Sequence, residues 1–214
     1  MERSIGDRAR ADVRTLALAD WRREMNALYA AVRAEAEPQA AWALWRDTRD
    51  HLFKHHPQSP IAADLRSSYR GIPLYDYDPA WRLTVTTEPV VEDQPIAADG
   101  GGDGTIRLHA FARTVGLTEK LGQELSIYWI DGYGGGLFLP FKDTTAGAET
   151  YQGGRYLLDG IKGADLGSTR DGRMVFDFNF CYHPSCCHSP AWICPLAPRE
   201  NHLSVSIRAG EKLR

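Results

Sequence analysis

The segment TIRLHAFART, residues 105–114, decides the predicted fold. Small or aliphatic apolar side chains recur at every second position of it: Ile106, Leu108, Ala110 and Ala112. Two arginines, a histidine and a phenylalanine fill the positions between them. Successive side chains of a β-strand point to opposite faces, so a period of two predicts a strand with one face in a core.

The same period continues through much of the chain, between turns rich in glycine, proline or charged residues. Strands are predicted near residues 82–87, 105–114, 123–130, 136–141, 150–158, 173–180 and 202–208. The intervals between them leave no room for crossover helices, so neighbouring strands should pair antiparallel. Because an open meander exposes two edges, we predict an antiparallel β-barrel or sandwich of about seven strands. The glycine-rich run at residues 99–104 predicts a hairpin loop.

Two helices are predicted before the strands. Apolar residues at spacings of three and four form one stripe within residues 11–35: Leu18, Trp21, Met25, Leu28 and Val32. Pro38 suits the first turn of a second helix, which should end near residues 55–57. The fold class is therefore mainly β (α+β). We predict a helical arm over residues 1–60, packed on the sheet, and an antiparallel β domain over residues 61–214 with a proline-rich loop at 181–201.

The composition is that of an ordinary soluble protein, with 43% apolar and 25% charged residues in a chain of 214. A formal net charge of −3 gives no electrostatic reason to expect nucleic acid as a partner. The sequence has no apolar run of about 18 residues to cross a membrane, and its N-terminus lacks the apolar core of a secretory signal. We therefore predict a cytoplasmic protein with neither a nucleic-acid nor a membrane partner, in an oligomeric state that the sequence leaves open.

The stretch FDFNFCYHPSCCHSPAWICPLAPREN, residues 176–201, holds all four cysteines of the chain. Zinc prefers sulfur and nitrogen ligands in tetrahedral sets, and five side chains could supply one: Cys181, His183, Cys186, His188 and Cys194. Since no C-x-x-C pair is present, a Cys186–Cys194 disulfide or close thiol pair is an alternative, as are thiols with no special role. A cysteine nucleophile activated by a nearby histidine is a further alternative, although no thiol-enzyme motif is present.

Polar side chains around this stretch are candidates for a ligand site. Asp177 and Asn179 fall on the strand face opposite a row of phenylalanines, where they would point into a barrel mouth or to water. Arg155 follows a Gly-Gly pair and could clamp a carboxylate or phosphate with its planar fork. It could equally form a buried pair with Asp143, Asp177 or Glu200.

Several motifs occur in one order along the C-terminal half: Pro140-Phe141-Lys142-Asp143, Gly154-Arg155-Tyr156-Leu157, Asp177-Phe178-Asn179, Tyr182-His183-Pro184, Cys194-Pro195-Leu196, Glu200-Asn201-His202-Leu203 and Ala209-Gly210-Glu211-Lys212. In them the chain resembles the bacterial and archaeal family catalogued as domain of unknown function 1684, over most of its length. That family usually has asparagine at position 183, and Cys181, Cys187 and His188 also depart from its pattern. The resemblance thus counts against a zinc site common to the family, and it implies no particular activity.

The resemblance implies a shared site or a shared scaffold at nine positions: Asp143, Arg155, Asp177, Asn179, Tyr182, Cys186, Cys194, Glu200 and Asn201. Three functions follow as hypotheses. The first is binding of a small polar or anionic ligand in a pocket bordered by residues 177–201, with a carboxylate as general base if the protein is an enzyme. Its ligand contacts would be Asp143, Tyr151, Arg155, Asp177, Asn179, Tyr182, Glu200 and Asn201.

The second hypothesis is a zinc protein in which Cys186, Cys194 and one or two of Cys181, His183 and His188 hold the metal. No other cofactor is predicted. The third is a structural or interaction protein without a catalytic site. The first requires Arg155, Asp177 and Glu200 to converge on a solvent-connected cavity. A closed, fully paired network of these side chains would favour the third.

Overall fold

Two N-terminal helices open the fold. The computed structural model of the chain describes residues 5–91, 95–99 and 104–214, without the side chains of residues 5–12. Helix α1 covers Ile5–Ala34 and α2 covers Pro38–His55. The apolar stripe of each helix is largely buried: Trp21, Met25, Leu28, Val32, Trp42, Trp45, Leu52 and Phe53. Neither helix, nor any other in the described part, is both long and apolar enough to cross a membrane.

Seven strands follow: β1 Arg82–Pro89, β2 Ile96–Asp99, β3 Thr105–Val115, β4 Ser126–Ile130, β5 Leu137–Phe141, β6 Arg155–Asp159 and β7 Met174–Asp177. A single helical turn, α3 over Thr118–Leu121, joins β3 to β4. The sheet order is β6-β5-β4-β3-β1-β7, with β2 also on β3. Every pairing between these strands is antiparallel, as the short intervals between them require.

The two outer strands of the sheet almost meet. Tyr156 in β6 and Tyr182, which follows β7, exchange backbone hydrogen bonds of 2.9 and 3.1 Å. This contact nearly closes the sheet into a barrel and covers the edges that an open sheet would expose. The prediction of an antiparallel barrel preceded by two helices is therefore confirmed.

Successive strand residues alternate between two cores. Phe138 and Tyr156 pack with α1 and α2, whereas Leu139 and Leu157 belong to the core inside the barrel. Burial of both faces explains why β5 and β6 are continuous apolar runs and not alternating ones. Because the helices share a core with the sheet, the division into an arm at 1–60 and a β domain at 61–214 stays a prediction.

The predicted strand at residues 202–208 is wrong. Leu203 and Ile207 are buried at alternate positions, as in a strand, but the segment makes only isolated backbone bonds, such as Leu203 N–H to the Lys142 carbonyl at 2.7 Å. Side chains take the place of a neighbouring strand, since the carbonyl of Ile207 accepts from Arg155 at 2.8 Å. The seventh strand is β2, which forms the expected hairpin with β3. Residues 100–103 of its loop lie outside the described residues.

Candidate functional site

Arg155 begins β6 and is buried with all its terminal nitrogens engaged. It donates to Asp143 Oδ2 at 3.1 Å, and to the carbonyls of Ile207 at 2.8 Å, Ala209 at 2.5 Å and Glu211 at 3.2 Å. Asp143 in turn accepts the backbone N–H of Ile207 at 2.6 Å. These contacts leave the two terminal nitrogens of Arg155 no donor for a ligand. The pair instead holds the C-terminal segment against the barrel.

Asp177 is the last residue of β7, and Asn179 lies in the 3₁₀ helix Phe178–Phe180 that follows. Both polar side chains are fully buried, so the expected orientation toward a barrel mouth or water is wrong. Asp177 accepts the backbone N–H of Asn179 at 3.0 Å and Arg82 Nη1 at 3.1 Å. Asn179 bonds both the N–H and the carbonyl of Asp78, at 2.9 and 2.8 Å. The two residues therefore fasten the loop before β1.

The remaining predicted contacts also have protein partners. Glu200 is exposed and accepts the hydroxyl of Tyr128 at 2.7 Å. Asn201 is buried and donates to the carbonyl of Pro140 at 2.9 Å. Arg155 thus meets Asp143, and Asp177 meets Asn179, but Arg155, Asp177 and Glu200 do not converge on one cavity within the described part of the chain.

A second buried ion pair lies beneath the proline-rich loop. Arg49 of α2 pairs with Glu211, and both side chains are hidden from solvent. Burial raises the pKa of Glu211 and is the largest single influence on it. Arg49, His183 and His188 together more than offset burial, so the pKa of this carboxyl lies below its ordinary value. Glu211 Oε2 also accepts the backbone N–H of His183 at 2.7 Å. Tyr182 packs on Arg49, with 4.6 Å between its ring centroid and the guanidinium carbon, and its hydroxyl donates to Asp159 at 2.8 Å.

The five predicted zinc ligands do not gather into a site. Among residues 5–91, 95–99 and 104–214, no group of three or more cysteine, histidine or acidic side chains could hold a metal ion. The Cys181 thiol lies in the barrel core and donates to the Ala209 carbonyl at 3.4 Å. His183 Nε2 accepts the backbone N–H of Tyr151 at 3.1 Å, so this nitrogen is already engaged. Cys181, four residues after the end of β7, therefore lies in the barrel core, apart from the other predicted ligands.

A cleft with a volume of about 310 Å³ lies beside the proline-rich loop. Its walls come from residues 61–73, residues 183–188 and residues 212–214. Apolar side chains form much of the lining: Ile61, Leu65, Ile72, Pro73 and Leu213. Polar groups complete it: Tyr69, His183, Cys187, His188, Lys212 and Arg214. The volume is at the lower end of small-molecule sites, about 300–1,000 Å³. None of the eight predicted ligand contacts is in this lining.

The charged groups of the cleft are basic. None of the described lining residues is acidic, whereas Lys212 and Arg214 are both in the lining. The Lys212 ammonium lies 5.0 Å from the centroid of the Tyr75 ring, and it forms no ion pair among the described side chains. Burial lowers the pKa of His183 to about 4 and also lowers the pKa of His188, so both imidazoles are neutral at pH 7. The cleft is therefore suited to an anion that also carries apolar surface.

The thiol in the cleft is not an activated nucleophile. Burial raises the pKa of Cys187 to about 12, so the group remains protonated at neutral pH. Reactive cysteines have the opposite property, since the thiolate is the attacking form. Its neighbour His188 packs edge-on against Phe53, with 5.4 Å between ring centroids, and does not bond the thiol.

Little in the sequence indicates the cleft. Its walls are distant in sequence, and their apolar residues have no common period. Lys212 stands in the Ala209-Gly210-Glu211-Lys212 motif, which is the one local signal that could have pointed to it. Arg49 lies within a helix that has several other charged residues, so nothing in its neighbourhood marks it as the buried partner of Glu211.

Stability is expected to fall as the pH drops from about 6.5 to about 4. Burial lowers the pKa of His183 to about 4 in the folded chain, whereas an unfolded histidine titrates near 6.5. Between these values the unfolded chain binds a proton that the folded chain does not, so the free energy of unfolding decreases by up to about 1.4 kcal/mol per pH unit. Glu211, Arg155, His188 and Arg49 face this imidazole, and His188 adds a change of the same sign.

Urea unfolding of the wild type and of His183→Asn, measured between pH 7 and pH 4, tests this expectation. Asparagine is the residue that the resembled family usually has here, and it does not titrate. In this pH window, we expect the free energy of unfolding of the variant to depend on pH less steeply than that of the wild type, by about 1 kcal/mol per pH unit. His51→Asn, on the exposed side of α2, is the matched control. Parallel curves for the wild type and His183→Asn would contradict the assignment.

Comparison with known proteins identifies a family and a solved structure to which the chain is similar. A family model described as "Protein of unknown function (DUF1684)" matches residues 67–212, which include all seven strands and the cysteine-containing loop. The solution NMR structure of the uncharacterized protein from gene locus rrnAC0354 of Haloarcula marismortui is 30% identical, with a TM-score of 0.54. That match covers 78% of this chain and 90% of the archaeal one. No curated protein matches.

Proposed function

The chain belongs to the DUF1684 family of proteins of unknown function, and from that premise we propose that it binds a small anionic ligand with an apolar body in the cleft beside the loop. The observation that carries the proposal is the lining, which joins apolar walls to two cations and has no acidic side chain among its described residues. In such a site the apolar walls supply most of the affinity, and a few polar groups fix the orientation.

Lys212 is the residue best placed to hold the anion. It is half-buried in the lining, and the carboxylate of the preceding residue, Glu211, is already paired with Arg49. Arg214 is more exposed and donates to the Gly71 carbonyl at 3.0 Å. A cation at the edge of a partly desolvated cleft attracts an anion more strongly than one in open water.

Binding is proposed in place of thiol catalysis because Cys187 is held as a neutral thiol by its burial. The proposed setting is the cytoplasm, where cysteines usually remain reduced, and the four unpaired thiols of this chain fit that environment. The net charge of −3 supports a small molecule as partner over a nucleic acid.

Hexanoate is the test probe, because it joins a carboxylate to a short apolar chain, and hexanamide is its neutral counterpart. We expect ligand-observed NMR at low salt to detect binding of hexanoate to the wild type. Lys212→Met should weaken the binding of hexanoate about tenfold, equivalent to about 1.4 kcal/mol. It should leave the binding of hexanamide nearly unchanged. Added salt should weaken the binding of hexanoate but not that of hexanamide.

Lys54→Met is the matched control, since Lys54 lies exposed on α2 and outside the cleft lining. It should bind hexanoate as the wild type does. Equal affinities of the wild type for hexanoate and hexanamide would overturn the anionic part of the proposal. If neither hexanoate nor hexanamide binds, the proposal as a whole is overturned.

A further inference from the structure

Two histidines stand one helical turn apart at the end of α2. His51 and His55 are four residues apart in the helix Pro38–His55, and side chains at this spacing are neighbours on one helix face. Their ring centroids lie 4.8 Å apart, and the ring planes are inclined by 43°. Both side chains are exposed. The helix therefore holds two imidazoles side by side where an ion in solution can reach both.

The ring nitrogens of this pair are not engaged by the protein. Neither imidazole forms a hydrogen bond or an ion pair with another described residue. Other histidines of the chain are engaged: a ring nitrogen of His56 accepts the backbone N–H of Gln58 at 3.0 Å, and one of His183 accepts that of Tyr151 at 3.1 Å. A neutral imidazole has one nitrogen with a free lone pair, which is the nitrogen that binds metals. The pair on α2 thus offers two such nitrogens to solvent.

The spacing of the two rings fits a shared metal ion. Imidazole nitrogens bind zinc at about 2.0–2.1 Å, so two rings in adjacent positions around one such ion have centroids roughly 4.5–5.3 Å apart. The observed 4.8 Å lies within this range. Rotation of the rings about their side-chain bonds is then enough to aim both nitrogens at one point, and little freedom is lost on binding because the backbone is already ordered.

We propose that His51 and His55 form a two-histidine site for a divalent first-row transition-metal ion such as Ni²⁺ or Cu²⁺. Imidazole is a ligand that suits these ions, and each imidazole replaces one water molecule of the hydrated ion. In the part of the chain that the structure describes, no third cysteine, histidine or acidic side chain joins the pair to complete a cluster. Water keeps the remaining positions around the ion.

The position of the site in the helix favours a cation. His55 is the last residue of α2, and the C-terminal end of a helix carries the negative end of its dipole. A bound ion ties together the last turn of the helix that also carries Arg49, so it stabilises the folded chain by mass action. Neither histidine lines the cleft. The metal site and the anion site are therefore independent, and either proposal can fail without the other.

Calorimetric titration of the full chain with NiCl₂, in a buffer that does not bind metals, tests the proposal. Nickel is the probe because it does not oxidise the free thiols. We expect His51→Gln and His55→Gln each to weaken nickel binding at least about tenfold, since one imidazole alone cannot chelate the ion. Both positions are exposed and glutamine is a good helix former, so both variants should fold as the wild type does.

A variant with the histidines moved apart is the matched control. Asp47→His/His51→Gln keeps two histidines on α2 but separates them by eight residues, or about 12 Å along the helix. The side chain of Asp47 is 67% exposed, so the fold should tolerate the change. This variant should bind nickel as weakly as His51→Gln. Wild-type affinity in His51→Gln, or in the variant with separated histidines, would overturn the proposal, because the histidines would then act singly or not at all.

Discussion

Replacing Arg155 with methionine is expected to lower the free energy of unfolding by about 3–5 kcal/mol, because the change leaves a buried carboxylate without its counter-charge. Asp143 would keep only hydrogen bonds such as that from the Ile207 N–H. The carbonyls of Ile207 and Ala209 would lose their donor inside the fold. Urea unfolding at pH 7 measures the effect. A natural domain has only about 5–15 kcal/mol of stability in total, so this loss is a large part of it.

Two companion variants make the result interpretable. Arg208→Met removes an exposed pair with Glu149 and should change stability little, because solvent screens that interaction. The double variant Asp143→Leu/Arg155→Met has no unpaired buried carboxylate, and it should recover part of the loss. If Arg155→Met leaves too little folded protein for a measurement, the double variant still gives a free energy of unfolding.

Arg155 also separates the structural role from the ligand-binding one. It is not in the cleft lining, so the folded fraction of Arg155→Met should bind hexanoate as the wild type does. A loss below about 1 kcal/mol would contradict the view that this pair pins the C-terminal segment. A selective loss of hexanoate binding with unchanged stability would show that Arg155 belongs to a ligand site.

The fold was largely predictable because residues near each other in sequence decide it. Residues 105–114 alternate in hydrophobicity, and they form β3 with Ile106, Leu108 and Ala110 packed toward the helices. A β-bulge between Ala110 and Ala112 then places Ala112 in the barrel core, which the alternation does not predict. Residues 202–208 alternate in the same way, yet they form no strand. A distant pair, Arg155 and Asp143, supplies the hydrogen bonds that a neighbouring strand would otherwise make there. No local pattern contains that information.

The motif residues that the sequence predicts as ligand contacts have protein partners in the structure. Asp143, Arg155 and Asn179 bond backbone groups of distant segments. Asp177 bonds the side chain of Arg82. These contacts join the segments to the barrel. Polar residues that close such networks and polar residues that bind a ligand are of the same types, so sequence alone does not separate the two. The cleft is assembled by tertiary contacts between three segments, and for that reason only the structure reveals it.

Glu211→Gln is expected to destabilise the fold by about 3–5 kcal/mol, because it leaves Arg49 charged and buried without a partner. Arg49 is 2% exposed, and its Nε already has no hydrogen-bond partner among the described residues. Glutamine preserves the size of the side chain and can still accept the His183 N–H, so the lost charge is the main change. Urea unfolding at pH 7 measures the cost.

The pH dependence of Glu211→Gln gives an independent readout. The folded pKa of Glu211 is depressed by Arg49, against the opposing effect of burial. Its contribution is therefore fully present above the unfolded value near 4.3 and is lost as the pH falls through the lower folded pKa. Below about pH 4.3 the stability of the wild type should approach that of the variant. A constant difference down to strongly acidic pH would contradict the assignment.

A double-mutant cycle with Arg49→Met isolates the pair from its surroundings. If the charges support each other, the double variant should be less destabilised than the sum of the single variants, by up to about 3 kcal/mol. Arg46→Met, one turn earlier on α2 and half-exposed, should change stability by only about 0.5 kcal/mol. Additive single effects would mean that Glu211 positions His183 without help from α2. Strong coupling would mean that α2 holds the C-terminal wall of the cleft in place through this buried pair.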